Sequence, residues 1–361
     1  MKVVFDDQIF LMQPRGGISR YFVELMRAYR SDAAMGVELD TRPLWTRNHH
    51  LLDAGMGRRL PTGWGQRRRV LRAANRFHRT RGRPNVVHHT YFDRNYLRSG
   101  KPDSIRAVTV YDMIPEIYPE MFPDGNPHMD KRAFVERADL IFCISEATKG
   151  DLVRIYGQPE APIVVTPLGV EGTFRPDASQ WHGLPERYVL FVGNRGGYKD
   201  FAVLAEAFAN CAFPADISLL VVGGGPFGTG EERLLGNLGL SPRTHRVEIG
   251  DAELAGAYAH ALCYVFPSRH EGFGLPTLEA MASGCPTILA ATSSHPEVGG
   301  DAALYFPPGD VYELSRLLGE LEASPERRAE RRAAGLLQAA AFSWQDTARR
   351  TAAAYHDART V

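Results

Sequence analysis

The 361-residue chain has few cysteines, no excess of either charge and no long apolar run, and each shortage removes a class of function. Its four cysteines, Cys143, Cys211, Cys263 and Cys285, stand far apart, in or beside apolar runs and without a C-x-x-C pair. That pattern favours buried free thiols in a reducing compartment over a disulfide framework or a thiolate metal centre. Lysine plus arginine (42) balances aspartate plus glutamate (42), so no global field draws the chain to nucleic acid. No segment carries the roughly 20 consecutive apolar residues of a membrane-spanning helix. The opening Met1-Lys2-Val3-Val4-Phe5-Asp6-Asp7 turns acidic at once and lacks an apolar secretory core, so a cytoplasmic location is expected. Gly-Lys-Ser/Thr is missing, which excludes a mononucleotide phosphate loop. Asp-x-Asp is missing too, so no divalent ion is expected to take part. No solenoid-period repeat is present.

What remains is a length suited to two domains, with short apolar strand candidates alternating with helical patterns. Such alternation predicts α/β domains with parallel sheets. Candidates in the first half are Lys2–Phe5, Val86–His88, Ala107–Val110 and Leu140–Ile144. Those in the second half are Tyr188–Val192, Ser218–Val222, Arg246–Ile249, Cys263–Phe266, Thr287–Leu289 and Leu304–Phe306. The proline-bearing stretch Gly157–Leu184 reads as a connection. Boundaries follow at 1–170, 171–342 and 343–361, the last a helix with Ser343 as its cap.

The most informative segment runs Glu271-Gly-Phe273-Gly274-Leu275-Pro276-Thr-Leu-Glu279-Ala-Met. Pro276 suits a first helical turn, and Gly284 with Pro286 a stop, so a short helix is predicted over Pro276–Ser283. Glu271 then lies before the helix and Glu279 within it. The N–H groups of Phe273, Gly274 and Leu275 would point out of its N-terminus, where an anion is favoured. A phosphate flanked by hydroxylated ends fits this arrangement, and a sugar nucleotide has that shape.

This segment resembles the Glu-x7-Glu signature of retaining glycosyltransferases of family 4. The resemblance implies the GT-B fold, two Rossmann-like doubly wound domains facing a central cleft, with the last helix returning to the N-terminal, acceptor-binding domain. It implies that Glu271 faces the donor sugar and Glu279 holds the ribose. The turn Gly193-Asn-Arg195-Gly-Gly-Tyr-Lys199-Asp200 follows a strand, with Asp200 as a plausible N-cap. There the resemblance gives Arg195 and Lys199 the task of neutralising the donor diphosphate. Gly16 and Gly17, ahead of a helix with Ser19 as candidate cap, resemble the family's diphosphate-approaching glycine loop. Many relatives carry His-Asp where this chain has Tyr111-Asp112, which leaves Asp112 as the polar contributor. His88 and His89 end the preceding strand and read equally well as site or structural histidines. Gly223-Gly-Gly-Pro226, including Gly224, reads as a second backbone wall of the nucleotide pocket.

The expected activity is metal-independent, retaining transfer of a hexose to a hydroxyl of a glycan, lipid-linked or small-molecule acceptor. Similarity leans towards mannose from GDP-mannose. A silent nucleotide-sugar-binding subunit and a GT-B sugar-nucleotide epimerase stay open as alternatives. The basic run from Arg58 to Arg83 reads as a solvated face, or as a contact with anionic membrane worth about 1 kcal/mol per charge.

Overall fold

The computed structural model describes residues 1–39, 44–60, 75, 84–97, 103–128, 130–179 and 183–359. Two compact units share the chain: Met1–Gly169 with Trp344–Val361, and Val170–Ser343. Of the basic run only Arg58 and Arg59 are described; Arg67, Arg68, Arg69, Arg72, Arg76, Arg79, Arg81 and Arg83 lie outside the described residues. Among the described residues no helix is long and apolar enough to cross a membrane.

The first unit holds β1 (Lys2–Phe5), β2 (Glu38–Leu39), β3 (Leu44–Thr46), β4 (Gly57–Arg59), β5 (Val86–His89), β6 (Ile105–Val110), β7 (Leu140–Cys143) and β8 (Ile163–Val165). Six of them form a parallel sheet in the order β2-β1-β5-β6-β7-β8, and β3 pairs with β4. Strand β8 interrupts the stretch expected to be only a connection. Its Ile-Val-Val triplet pairs at the sheet edge, where flanking prolines cost no ladder bonds. The helix Trp344–Asp357 completes this unit. Its Trp344 ring lies 6.2 Å from Tyr21, and the Tyr355 hydroxyl meets His88 Nδ1 at 2.5 Å.

His88 also meets Thr109 Oγ1 through Nε2 at 2.8 Å and stacks on Phe142. Burial pushes its pKa down to about 3, so it is a neutral structural histidine. His89 Nδ1 is held by Asp6 Oδ2 at 2.9 Å.

The second unit contains β9 (Arg187–Val192), β10 (Ile217–Val222), β11 (Thr244–Val247), β12 (Cys263–Phe266), β13 (Thr287–Ala290) and β14 (Leu304–Phe306). All pair in parallel, in the order β11-β10-β9-β12-β13-β14. Alternation along each strand builds two cores, as a sheet covered on both faces requires. Val189, Phe191, Leu219, Val221 and Val265 enter one; Tyr188, Leu190, Leu220, Val222 and Tyr264 enter the other. Leu314, Leu317, Leu318 and Leu321 line one stripe of the helix Val311–Ala323 and close the first core. Strand β11 starts two residues before the expected Arg246. Thr244 and His245 pair with Leu219 and Leu220 despite their polarity, since an edge strand needs only one apolar neighbour face.

The four cysteines are free. Burial pushes the Cys143 thiol up to about 12 and raises Cys263 and Cys285 as well, which keeps these thiols protonated.

Candidate functional site

In a doubly wound sheet the crevice for a ligand opens at the carboxyl ends of the strands where their order reverses. In the second unit the order reverses between β9 and β12. The loops that follow these two strands carry Lys199 and Glu271, and the structure brings them together. Lys199 Nζ donates to Glu271 Oε1 at 2.6 Å, and it lies 5.2 Å from the ring centres of Tyr198 and Phe266. The Glu271 backbone is fixed on both sides: its N–H donates to Ser293 Oγ and its carbonyl accepts from Ser294 Oγ, each at 2.9 Å. Ser293 holds a left-handed φ of 45°, an uncommon conformation for serine.

A second ion pair runs beside the first. Arg269 Nε donates to Asp200 Oδ2 at 2.8 Å, and the Arg269 N–H donates to Tyr198 carbonyl oxygen at 2.7 Å. Asp200 was expected to cap the next helix with its side chain. It instead takes a left-handed φ of 53° without a side-chain cap bond, because its carboxylate is drawn to Arg269.

The signature helix runs Leu275–Ala282, with Pro276 in its first turn and Gly284 just past its end. Gly274 is its N-cap at φ 93°, where a side chain would be strained, and it offers no capping oxygen. The helices Glu146–Tyr156, Val311–Ala323 and Pro325–Ala340 are capped by Ser145, Asp310 and Ser324 instead. The first-turn amides of Leu275–Ala282 therefore lack the side-chain oxygen that usually takes them, and the dipole end stays suited to an anion. Three polar atoms that are buried without a hydrogen-bond partner, Ser268 Oγ, Thr277 Oγ1 and His295 Nε2, belong to this neighbourhood. Glu279, inside the helix, is buried like Glu271, and both carboxylates act on the buried hydroxyl of Tyr264. His295 packs on Phe266 at 4.9 Å, and burial lowers its pKa against the pull of Glu271.

Arg195 departs from its expected part. Its guanidinium is bound to Glu231 at 2.7 Å and to the carbonyls of Gly223, Gly224, Gly225 and Pro226, leaving 3% of the side chain exposed. It braces the turn after β10 and does not present a phosphate-binding face. Gly193 and Gly224 belong to the same packing. A Cβ at Gly224 would fall 2.5 Å from Arg195 Nη1 and 2.7 Å from the Gly193 carbonyl oxygen. Pro226 does not open the next helix, which is Thr229–Asn237.

Asp112, Gly16 and Gly17 belong to the first unit. Asp112 Oδ1 accepts from the Ile114 N–H at 3.0 Å, the turn-capping arrangement. Gly16 precedes the helix Gly17–Ser31, and Ser19 is not its cap: the Ser19 hydroxyl donates to the Gly16 carbonyl at 3.0 Å. Ser293, Arg269, and His128, which stands 4.0 Å from Asp112, are the polar groups that motif reading passed over.

A family model described as Glycosyl transferases group 1 matches residues 177–337, and one described as Glycosyltransferase Family 4 matches residues 15–173. The O-antigen chain mannosyltransferase B of Escherichia coli is 29% identical over 69% of this chain and 70% of that protein. The MMP alpha-(1->4)-mannosyltransferase of Mycolicibacterium hassiacum is 32% identical over 65% of this chain and 57% of that protein. The chain thus spans only part of the length of these curated relatives. Among solved structures, Anabaena HepE in complex with UDP and glucose matches 99% of this chain and 100% of its own with a TM-score of 0.73, at 18% identity.

Proposed function

From a chain that belongs to the family 4 glycosyltransferases with the GT-B fold, we propose a retaining hexosyltransferase that moves mannose from GDP-mannose to a hydroxyl of a glycan, lipid-linked or small-molecule acceptor. The observation that carries this reading is the Lys199–Glu271 pair beside the Gly274-capped helix, at the point where strand order reverses. Two mannosyltransferases among the relatives support the choice of sugar.

Lys199 and the first-turn amides of the Leu275 helix stabilise the charge that grows on the departing diphosphate. Glu271, drawn from Lys199 when that cation turns to phosphate, accepts hydrogen bonds from the donor's hydroxyls, and Glu279 accepts from the ribose. The acceptor oxygen bonds to the anomeric carbon on the face the diphosphate leaves, and a phosphate oxygen takes the acceptor's proton. No side-chain nucleophile and no metal ion is assigned a step. Contact with anionic membrane through Arg58, Arg59 and the arginines beyond the described residues belongs to the same proposal; sedimentation with anionic vesicles tests it.

The deciding experiment follows turnover of GDP-, UDP- and ADP-sugars with and without EDTA, and reads the product anomer by NMR. Retained configuration with GDP-mannose and undiminished rate in EDTA are expected. Binding without turnover of any sugar would instead favour a silent subunit.

A further inference from the structure

One buried ionisable side chain beside the signature helix takes no part in the steps assigned to Lys199, Glu271 and Glu279. His295 opens the short helix His295–Gly299, which follows β13 through the turn that carries Ser293 and Ser294. Its ring is fully buried and lies against Phe266, the last residue of β12, at 4.9 Å. The Gly274 turn forms the other wall. A Cβ on Gly274 would sit 3.5 Å from Thr277 Oγ1, 3.5 Å from Phe266 Cε1 and 3.7 Å from His295 Cδ2, the ring carbon next to Nε2. Three side chains thus close around the point where the helix Leu275–Ala282 begins without a capping oxygen.

The two ring nitrogens differ. Nδ1 lies 2.8 Å from the Ala290 carbonyl oxygen, which only accepts, so Nδ1 carries the proton and Nε2 a lone pair. Nε2 is buried with no hydrogen-bond partner among the described residues, and so is Thr277 Oγ1. A bare lone pair is a costly group to bury, and here it stands beside a helix N-terminus that favours an anion. The neutral ring is the wrong partner for a phosphate; the protonated ring, an N–H donor with a charge, is a good one.

The surrounding charges decide when that proton arrives. Burial lowers the pKa of His295; Glu271 opposes the effect, while Lys199 and His270 add to it. Tyr305 of β14 meets the His295 carbonyl through its hydroxyl at 3.4 Å and, pushed up to about 12, stays neutral. Glu279 belongs to the signature helix, and Glu297 and Asp301 to the helix of His295 and the turn after it. In the free chain Lys199 lies on Glu271 at 2.6 Å and cancels the pull of that carboxylate. A diphosphate that draws Lys199 away removes the cancellation and adds negative charge of its own, so both changes favour a proton on the ring. We infer that His295 takes one proton from solvent at Nε2 when the diphosphate of a nucleotide sugar seats at the Gly274 turn, and returns it when the nucleoside diphosphate leaves. The inference rests on the transferase reading and adds to it a group that changes charge with the donor.

Calorimetry on the full chain tests this. GDP-mannose and UDP-glucose are titrated in PIPES, HEPES and imidazole buffers at about pH 6.5, the ordinary histidine value. Neither nucleotide sugar has a group that titrates there, so the dependence of heat on buffer counts the protons the protein takes up. For the nucleotide sugar that binds, uptake of about half a proton is expected, and affinity should fall about threefold from pH 6 to 7. His295→Gln should abolish the uptake and flatten the pH dependence. His270→Gln, which removes the neighbouring histidine, should keep both, and thermal melts report the folding of each variant. Uptake that survives in His295→Gln puts the proton on another group and overturns the inference. So does wild-type binding that is independent of buffer and flat in pH, a result that needs no variant. Sugar transfer with flat binding strikes His295 and leaves the transferase; proton-linked binding without turnover strikes the transferase and leaves His295.

Discussion

Lys199 Nζ and Glu271 Oε1 meet at 2.6 Å although 72 residues separate them in the chain. Each lies on the loop after one of the two strands that flank the reversal of order, so their meeting joins the two walls of the crevice. With side chains 19% and 11% exposed, the pair keeps some access to solvent and can be opened by an anion that competes for the lysine.

Lys199→Ala should lower kcat by about a hundredfold to a thousandfold, the usual loss when one stabilising donor is removed. Glu271→Gln should raise KM for the nucleotide sugar as well as lower kcat. Steady-state kinetics with thermal melts checks both, and melts within a few degrees of wild type are expected.

Arg195→Ala should behave in the opposite way. Removing the guanidinium leaves four carbonyls and Glu231 without their donor, at a cost of about 3–5 kcal/mol. Differential scanning calorimetry should show the loss. Arg195→Lys should recover little of it, since one ammonium cannot reproduce the planar fork.

Asp200→Gly should leave stability within about 1 kcal/mol, because glycine accepts the left-handed backbone and the partner Arg269 is half exposed. It should nonetheless lower kcat, since Asp200 ties down the loop that carries Lys199. Arg269→Ala should give a similar drop, and the double variant little more; a kinetic double-mutant cycle measures the coupling.

His88 makes the first unit sensitive to acid. The unfolded histidine takes a proton near pH 6.5 while the folded one resists until about 3. Stability from this group is complete above pH 6.5 and falls as pH drops towards 3, by at most about 1.4 kcal/mol per unit. Denaturant titrations at pH 7 and 5 should show the decline, and His88→Gln should flatten it.

Much of this was legible in advance. Strands β1, β12 and β14 fall on their expected bounds, because apolar runs in doubly covered sheets stand out from polar flanks. Lys199, Glu271 and the Gly274 turn were marked by their motif. Arg195 was not readable. Whether an arginine in a glycine turn faces a ligand or the carbonyls of another turn depends on how β9 and β10 pair, and no local spacing records it. The same holds for Asp200, whose partner Arg269 is 69 residues away, and for His128, brought to Asp112 by two short helical turns and the loop after them.

The first unit closes only with the helix Trp344–Asp357, whose Tyr355 completes the bonding of His88. On a ribosome, that helix emerges only after the whole of Val170–Ser343 has been made. The second unit, continuous in sequence, can therefore assemble while the earlier-made unit still waits for its missing piece. The order of synthesis and the order of completion are reversed, so a nascent chain stalled before residue 344 would hold a finished second unit and an unfinished first one.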